Sequence, residues 1–276
     1  MEFFEHDGLK LAYRDEGTGL PVLCLPGLTR NSSDFDDMAA ALERDVRLIR
    51  PDYRGRGASN WPEDFMSYNV AQEAKDAIAL LDHLGIDKAL FVGTSRGGLI
   101  SMITGVIAKD RMLGAVFNDI GPVIDPGGMD KIMAYVGLAP RIPTYDEAAE
   151  AMAVTTAEQF PGVPVSRWRT CAERWFEQGP DGLGLRYDPR LRDALVAQSE
   201  GFAPDLWPLF DALEGLPVGV IRGANSDLLT EETVAAMLEH RPSMLVARVP
   251  NRGHVPFLDE PESLNLIRVM IDEVTV

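Results

Sequence analysis

The sequence predicts an α/β fold with a mostly parallel central sheet, helices on both faces and an inserted helical cap. Three observations carry that expectation. Strand-length apolar runs alternate with helix-compatible segments over residues 22–118 and again over 218–273. The run Ala89-Leu90-Phe91-Val92 passes through Gly93-Thr94-Ser95-Arg96-Gly97 straight into an apolar helix-like stretch. Between residues 120 and 217 the alternation stops. Alternating strands and helices favour parallel pairing, because each return to the sheet needs a crossover, and ligands then collect at the carboxyl ends of the strands.

The elements follow in order. Asp7-Gly8 is a turn signal that joins strands over 2–6 and 10–15 into a hairpin. Apolar runs place strands over 22–25, 46–51, 89–92, 114–118, 218–222 and 245–249. Helical patterning places helices over 34–42, 69–84, 98–108, 231–239 and 261–273. The middle segment offers helical pieces over 130–136, 145–153, 165–176 and 189–198, joined by connections such as Gly179-Pro180-Asp181-Gly182 and without a convincing strand-like repeat. The expected division is a core of residues 1–121 and 208–276 with a cap of residues 122–207.

The 276 residues, 46% of them hydrophobic, suffice for a substantial core. A net charge of −17 with no basic stripe argues against a nucleic-acid partner and, at a distance, disfavours strongly anionic substrates. The acidic start Met1-Glu2-Phe3-Phe4-Glu5 carries no basic-then-apolar pattern, so no secretory signal is expected. Apolar runs are strand-length, so no membrane span is expected, since that needs about 20 mostly apolar residues. Cys24 and Cys171 are isolated and read as packing thiols of a reducing compartment, which points to the cytoplasm. The four histidines and two cysteines show no metal-ligand spacing, and there is no dinucleotide fingerprint, so neither metal nor cofactor is expected. Nothing in the pattern reports the oligomeric state.

The chemistry sits at Ser95. A serine between two glycines on a strand-turn-helix is held on a sharp backbone turn with its hydroxyl exposed at a helix N-terminus. Such a hydroxyl needs a general base to become a nucleophile. Of the four histidines, His6 lies on the first strand, His83 on a helical surface and His240 at a helix end. Only His254 follows a strand through a glycine-bearing turn. After Ser95, the chain offers Asp227 and then His254, the order Ser…Asp…His.

At these residues the chain resembles the α/β-hydrolase family along nearly its whole length. The resemblance runs through Leu25-Pro26-Gly27-Leu28, Asp52-Tyr53-Arg54-Gly55-Arg56-Gly57, the Ser95 elbow, Arg222-Gly223 with Asp227, and Gly253-His254-Val255-Pro256-Phe257. It implies Ser95 as nucleophile, His254 as base and Asp227 as the acid in the loop after the penultimate strand. Asp119, at the end of an earlier strand, is the alternative acid. The oxyanion donors implied are the backbone N–H groups of Leu28 and Arg96, although Pro26-Gly27 stands where the family commonly has His-Gly. The Arg96 side chain has two readings, an ion pair with a carboxylate such as Asp52 or Asp119, or a contact to a substrate carboxylate. The activity implied is hydrolysis of a small-molecule carboxylic ester or lactone through an acyl-enzyme, with a lid over the serine. Cleavage of a carbon-carbon bond in a diketone is the alternative. Acyl transfer, perhydrolysis, cofactor-free dioxygenation and ligand reception on the same fold stand behind these. Epoxide hydrolases and haloalkane dehalogenases of the family place aspartate at the elbow, where this chain has Ser95.

Overall fold

Asp7 and Gly8 both take positive φ, 49° and 72°, and the reversal pairs β1 (Glu2–His6) antiparallel to β2 (Leu9–Gly17). The computed structural model describes residues 1–42, 46–199 and 204–275. The chain then alternates through β3 (Leu20–Leu25), α1 (Asp36–Leu42), β4 (Val46–Pro51), α2 (Val70–His83), β5 (Ala89–Thr94), α3 (Arg96–Ile107) and β6 (Met112–Asn118). Next come α4 (Pro126–Tyr135), α5 (Tyr145–Thr155), α6 (Val165–Trp175), β7 (Phe176–Gly179), β8 (Gly182–Leu185), α7 (Leu191–Ser199) and α8 (Trp207–Asp211). The alternation resumes with β9 (Val218–Gly223), α9 (Glu231–His240), β10 (Leu245–Val249) and α10 (Pro261–Thr275).

Eight strands form one sheet in the order β1-β2-β4-β3-β5-β6-β9-β10. Pairing is antiparallel for β1/β2 and β2/β4 and parallel from β4 to β10. Strand periodicity splits the core into two layers. On one face Leu23, Leu25, Phe91 and Phe117 pack with Ala77 and Leu80 of α2 and Ile100 of α3. On the other, Val22, Cys24, Val92 and Val116 pack with Met38 of α1 and Ile267 of α10. Burial pushes the Cys24 thiol up to about 12, which makes it a packing group. No helix among the described residues is long and apolar enough to cross a membrane.

The segment between β6 and β9 is mostly helical, but it also contains the antiparallel hairpin β7–β8, where the sequence suggested only a connection. The reason lies in composition. The hairpin has only four residues in each strand and carries Gly179, Gly182 and Gly184, so the one alternation it shows, Leu183 and Leu185, is too short to mark a strand, and outside contacts help order it. The Tyr145 hydroxyl donates to Phe176 O at 3.3 Å and accepts from Gln178 N at 3.0 Å. Beyond the hairpin the chain docks on the loop after β4. Gly57 N donates to Arg186 O and Asp188 N to Gly55 O, each at 2.8 Å, and the Tyr68 hydroxyl donates to buried Asp188 at 2.7 Å. Tyr68→Phe deletes that buried donor, while Arg190 still holds both Asp188 oxygens. It is expected to lower the unfolding free energy by about 1–2 kcal/mol in a denaturant titration, with little change in secondary structure by circular dichroism.

Candidate active site

The elbow begins where β5 runs out. Ser95 takes φ 49° and ψ −111°, and its N–H donates to Asn118 O at 2.9 Å while its carbonyl accepts from Gly98 N at 2.8 Å. The flanking glycines are sterically required. A Cβ on Gly93 would lie 2.4 Å from the Gly97 carbonyl carbon, and one on Gly97 would lie 2.0 Å from Leu25 O. Backbone therefore packs on backbone, and Ser95 is lifted out at the N-terminus of α3.

His254 sits in the loop after β10, with Nε2 3.0 Å from Ser95 Oγ and Nδ1 2.8 Å from Asp119 Oδ2. A carboxylate only accepts, so Nδ1 carries the proton and the neutral ring presents Nε2 as acceptor to the serine hydroxyl. Asp119 is fully buried and takes φ 58°. Besides the imidazole it accepts Gly223 N at 2.8 Å and Ser226 Oγ at 2.5 Å. Three donors offset the cost of burying its charge.

The acid facing His254 is thus Asp119, and the expectation of Asp227 is corrected. β6 lies between β5 and β9, so Asp119 starts one strand nearer Ser95 than the loop after β9. That loop turns at Gly223–Ser226, with Ser226 N donating to Gly223 O at 2.9 Å, and wraps its donors around Asp119. Asp227 emerges beyond the wrap, where its Oδ2 accepts Lys131 Nζ and Gln159 Nε2, each at 2.5 Å. Two supports carried no sequence signal. Asn118 Nδ2 donates to Thr94 Oγ1 at 3.1 Å and Pro256 O at 3.0 Å, tying the strand end to the histidine loop. Glu260 accepts Phe257 N, Leu258 N and Ser263 Oγ at 2.9 to 3.0 Å, ordering the same loop.

Leu28 lines the same cavity as Ser95, Arg96 follows Ser95 as the first residue of α3, and among the described residues their N–H groups make none of the turn or loop backbone hydrogen bonds. Pro26-Gly27 leaves the first loop without a histidine, and other groups hold it. The Tyr53 hydroxyl donates to Pro26 O at 3.1 Å and Arg56 Nε to Leu28 O at 3.0 Å. Ser95 and His254 open into a cavity of about 270 Å³, walled by Gly27–Arg30, by Ile132, Phe160 and Trp168 of the β6–β9 segment, and by Phe257. Among the described residues one trio has the spacing to hold a metal ion, His6, Asp7 and Asp76. It lies outside this cavity, and Arg54 already engages Asp76 through two hydrogen bonds of 2.7 and 2.6 Å.

The alpha/beta hydrolase family model matches residues 22–265. The chain belongs to that family. It is similar to a 3-hydroxybutyrate-oligomer hydrolase of Cupriavidus necator, with 38% identity over 88% of this chain and 85% of the relative. It is also similar to a 2-(acetamidomethylene)succinate hydrolase of Mesorhizobium japonicum, with 30% identity over 96% of this chain and 92% of the relative. A solved alpha/beta hydrolase of Novosphingobium aromaticivorans superposes with a TM-score of 0.91 at 38% identity, covering 98% of this chain and 97% of that one. The chain is accordingly an enzyme, a hydrolase of this family.

Within the family site, the Arg96 side chain points away from the cavity. It pairs with Glu73 Oε2 at 2.5 Å and donates to Tyr68 O at 3.2 Å, so the ion-pair reading holds in kind, with Glu73 in place of Asp52 or Asp119. Arg56 Nη1 lies 2.8 Å from the other Glu73 oxygen. Burial alone would raise the Glu73 carboxyl, but the two guanidiniums outweigh it and hold the group below its ordinary 4.5. A depressed folded-state pKa gives stability that is complete above pH 4.5 and is lost as pH falls through the folded value. Glu73→Gln is expected to lower the unfolding free energy by about 3–5 kcal/mol at pH 7, as for a broken buried pair. Denaturant titrations of the two proteins should converge as pH drops below 4.5.

Proposed function

We propose that this hydrolase cleaves a small carboxylic ester by nucleophilic catalysis, with Ser95, His254 and Asp119 as the catalytic set. The observation that carries the reading is the continuous hydrogen-bonded chain Ser95 Oγ, His254 Nε2, His254 Nδ1 and Asp119 Oδ2, with links of 3.0 and 2.8 Å. Ser95 Oγ attacks the ester carbonyl as its proton passes to His254 Nε2. The Leu28 and Arg96 N–H groups receive the developing oxyanion, a role supported by Leu28 lining the cavity with Ser95 and by Arg96 following Ser95 at the N-terminus of α3. Collapse of the tetrahedral intermediate breaks the acyl C–O bond, and His254 returns the proton to the departing alkoxide. Water then attacks the acyl-enzyme carbonyl, giving its proton to the same nitrogen; collapse of this second tetrahedral intermediate breaks the C–Oγ bond, His254 returns the proton to Ser95 Oγ, and the carboxylic acid leaves. Asp119 stays ionised and fixes the imidazole throughout.

Residues 122–207 act as the cap in this reading, a role supported by the cavity wall they contribute at Ile132, Phe160 and Trp168. Ester cleavage is favoured over carbon-carbon cleavage by the similarity to a hydrolase of 3-hydroxybutyrate oligomers, whose units are joined by ester bonds. A lactone, as an internal ester, is open to the same attack. A reducing, cytoplasmic setting fits the two buried free thiols, Cys24 and Cys171.

The test is hydrolysis of p-nitrophenyl esters from acetate to octanoate. Ser95→Ala should abolish turnover and labelling by a fluorophosphonate. Asp119→Asn should lower kcat by about 10⁴-fold, the loss seen when a triad acid can no longer hold the imidazole tautomer. Asp227→Asn should stay within about tenfold of wild type. The reverse ranking of the two aspartates would sink the assignment of Asp119, and Ser95→Ala with wild-type turnover would sink the mechanism.

A further inference from the structure

We propose that Arg30 binds a carboxylate of the substrate, so that the hydrolase selects esters carrying a free acid; this rests on the ester-hydrolase reading above. The cavity wall holds four cations, Arg30, Lys131, Arg167 and Arg174, against two carboxylates, Asp34 and Asp227. Three of those cations are committed. Lys131 pairs with Asp227 at 2.5 Å. Arg167 Nη1 lies 2.9 Å from Asp37 and 3.0 Å from Asp259, although its buried Nε has no acceptor. Arg174 grips Asp37 through two nitrogens at 2.6 and 3.2 Å.

Arg30 is different. Among the described residues its guanidinium makes no hydrogen bond, and its one carboxylate neighbour, Asp34, lies 3.9 Å away. Asp34 is itself engaged, accepting Trp175 Nε1 at 2.7 Å, and burial pushes its carboxyl above the ordinary range. The guanidinium carbon sits 3.4 Å from the centre of the Trp175 ring. Stacking holds the plane of the fork and leaves its in-plane N–H donors free, the geometry that suits bidentate capture of a carboxylate. The backbone fixes its place as well. Arg30 N donates to Gly27 O at 3.1 Å, closing the same turn that presents the Leu28 N–H. A carboxylate on Arg30 and an ester carbonyl at Ser95 are thus read by one loop and one cavity.

Two measurements test this. The first compares monomethyl and dimethyl glutarate, which share a reacting ester and differ by a charge. Wild type should favour the monoester in kcat/KM. Arg30→Met should reduce the monoester-to-diester ratio by about 10- to 100-fold, the loss expected for hydrogen bonds to a charged group. Arg30→Lys should recover part of that ratio. A folding defect would lower both esters together and leave the ratio intact, so an unchanged ratio overturns the proposal. The second measures calorimetric binding of succinate, glutarate and adipate to Ser95→Ala, with and without Arg30→Met, and needs no turnover. Arg30-dependent binding without ester turnover keeps the carboxylate site and sinks the ester reading. Ester turnover with neither charge preference nor Arg30-dependent binding does the opposite, and loss of both readouts sinks both.

Discussion

The site depends on burying one carboxylate. Asp119 is fully excluded from solvent, and a charge there without donors would cost several kcal/mol. Its three donors come from different places, Gly223 at the end of β9, Ser226 in the loop after it and His254 after β10. All three reach it only when β6, β9 and β10 lie in register, with Asn118 opposite Ile221 and Gly223 opposite Val249. The positive φ of Asp119 turns the carboxylate toward those donors, and aspartate tolerates that conformation better than most side chains. One residue thereby links the register of the sheet to the direction of the imidazole. The serine needs no further device, because Gly93 and Gly97 have already fixed its turn.

A second buried carboxylate works on the opposite flank. Glu73 sits on α2 with Arg96 and Arg56 on its two oxygens. Arg56 also holds Leu28 O, and Arg96 also holds Tyr68 O. The loop bearing the Leu28 N–H and the start of α3 bearing the Arg96 N–H therefore share one anchor. Apolar residues of similar volume would fill this space, yet they would not fix two backbone segments relative to each other, because dispersion contacts lack direction.

These networks mark what was legible in the chain. The strand over 46–51 coincides with β4 and the helix over 69–84 with α2 and its cap Asn69, because apolar periodicity and capping are local signals. Ser95 and His254 were legible for the same reason, each alone of its type in its context. The choice between Asp119 and Asp227 was not local. Both follow strands that pair with each other, and the difference lies in which loop backbone offers donors and which carboxylate faces them. Glu73 was hidden too. On an amphipathic helix a buried glutamate reads like any surface one until its arginine partners are in place. The β7–β8 hairpin escaped because its strands are four residues long and glycine-bearing, which leaves too short a pattern to mark a strand.

Net charge illustrates the same limit from the other side. A chain of charge −17 reads as hostile to anions, but that sum is taken over the surface, and beyond about 8 Å such fields are screened at physiological ionic strength. The cavity has the opposite balance, four cations to two carboxylates. Inside it the dielectric is lower and the partners stand at contact distance, so a single guanidinium outweighs many remote carboxylates. The acidic exterior bears on the approach of a substrate, and the few charges beside Ser95 bear on which substrate stays. Recognition therefore belongs to local pairing, and the informative quantity is which cation near the serine lacks a protein carboxylate in hydrogen-bond contact. Among the cations of that wall, Arg30 is the one whose nearest protein carboxylate among the described residues, Asp34 at 3.9 Å, lies beyond contact distance, while the other three have one at 2.5 to 2.9 Å.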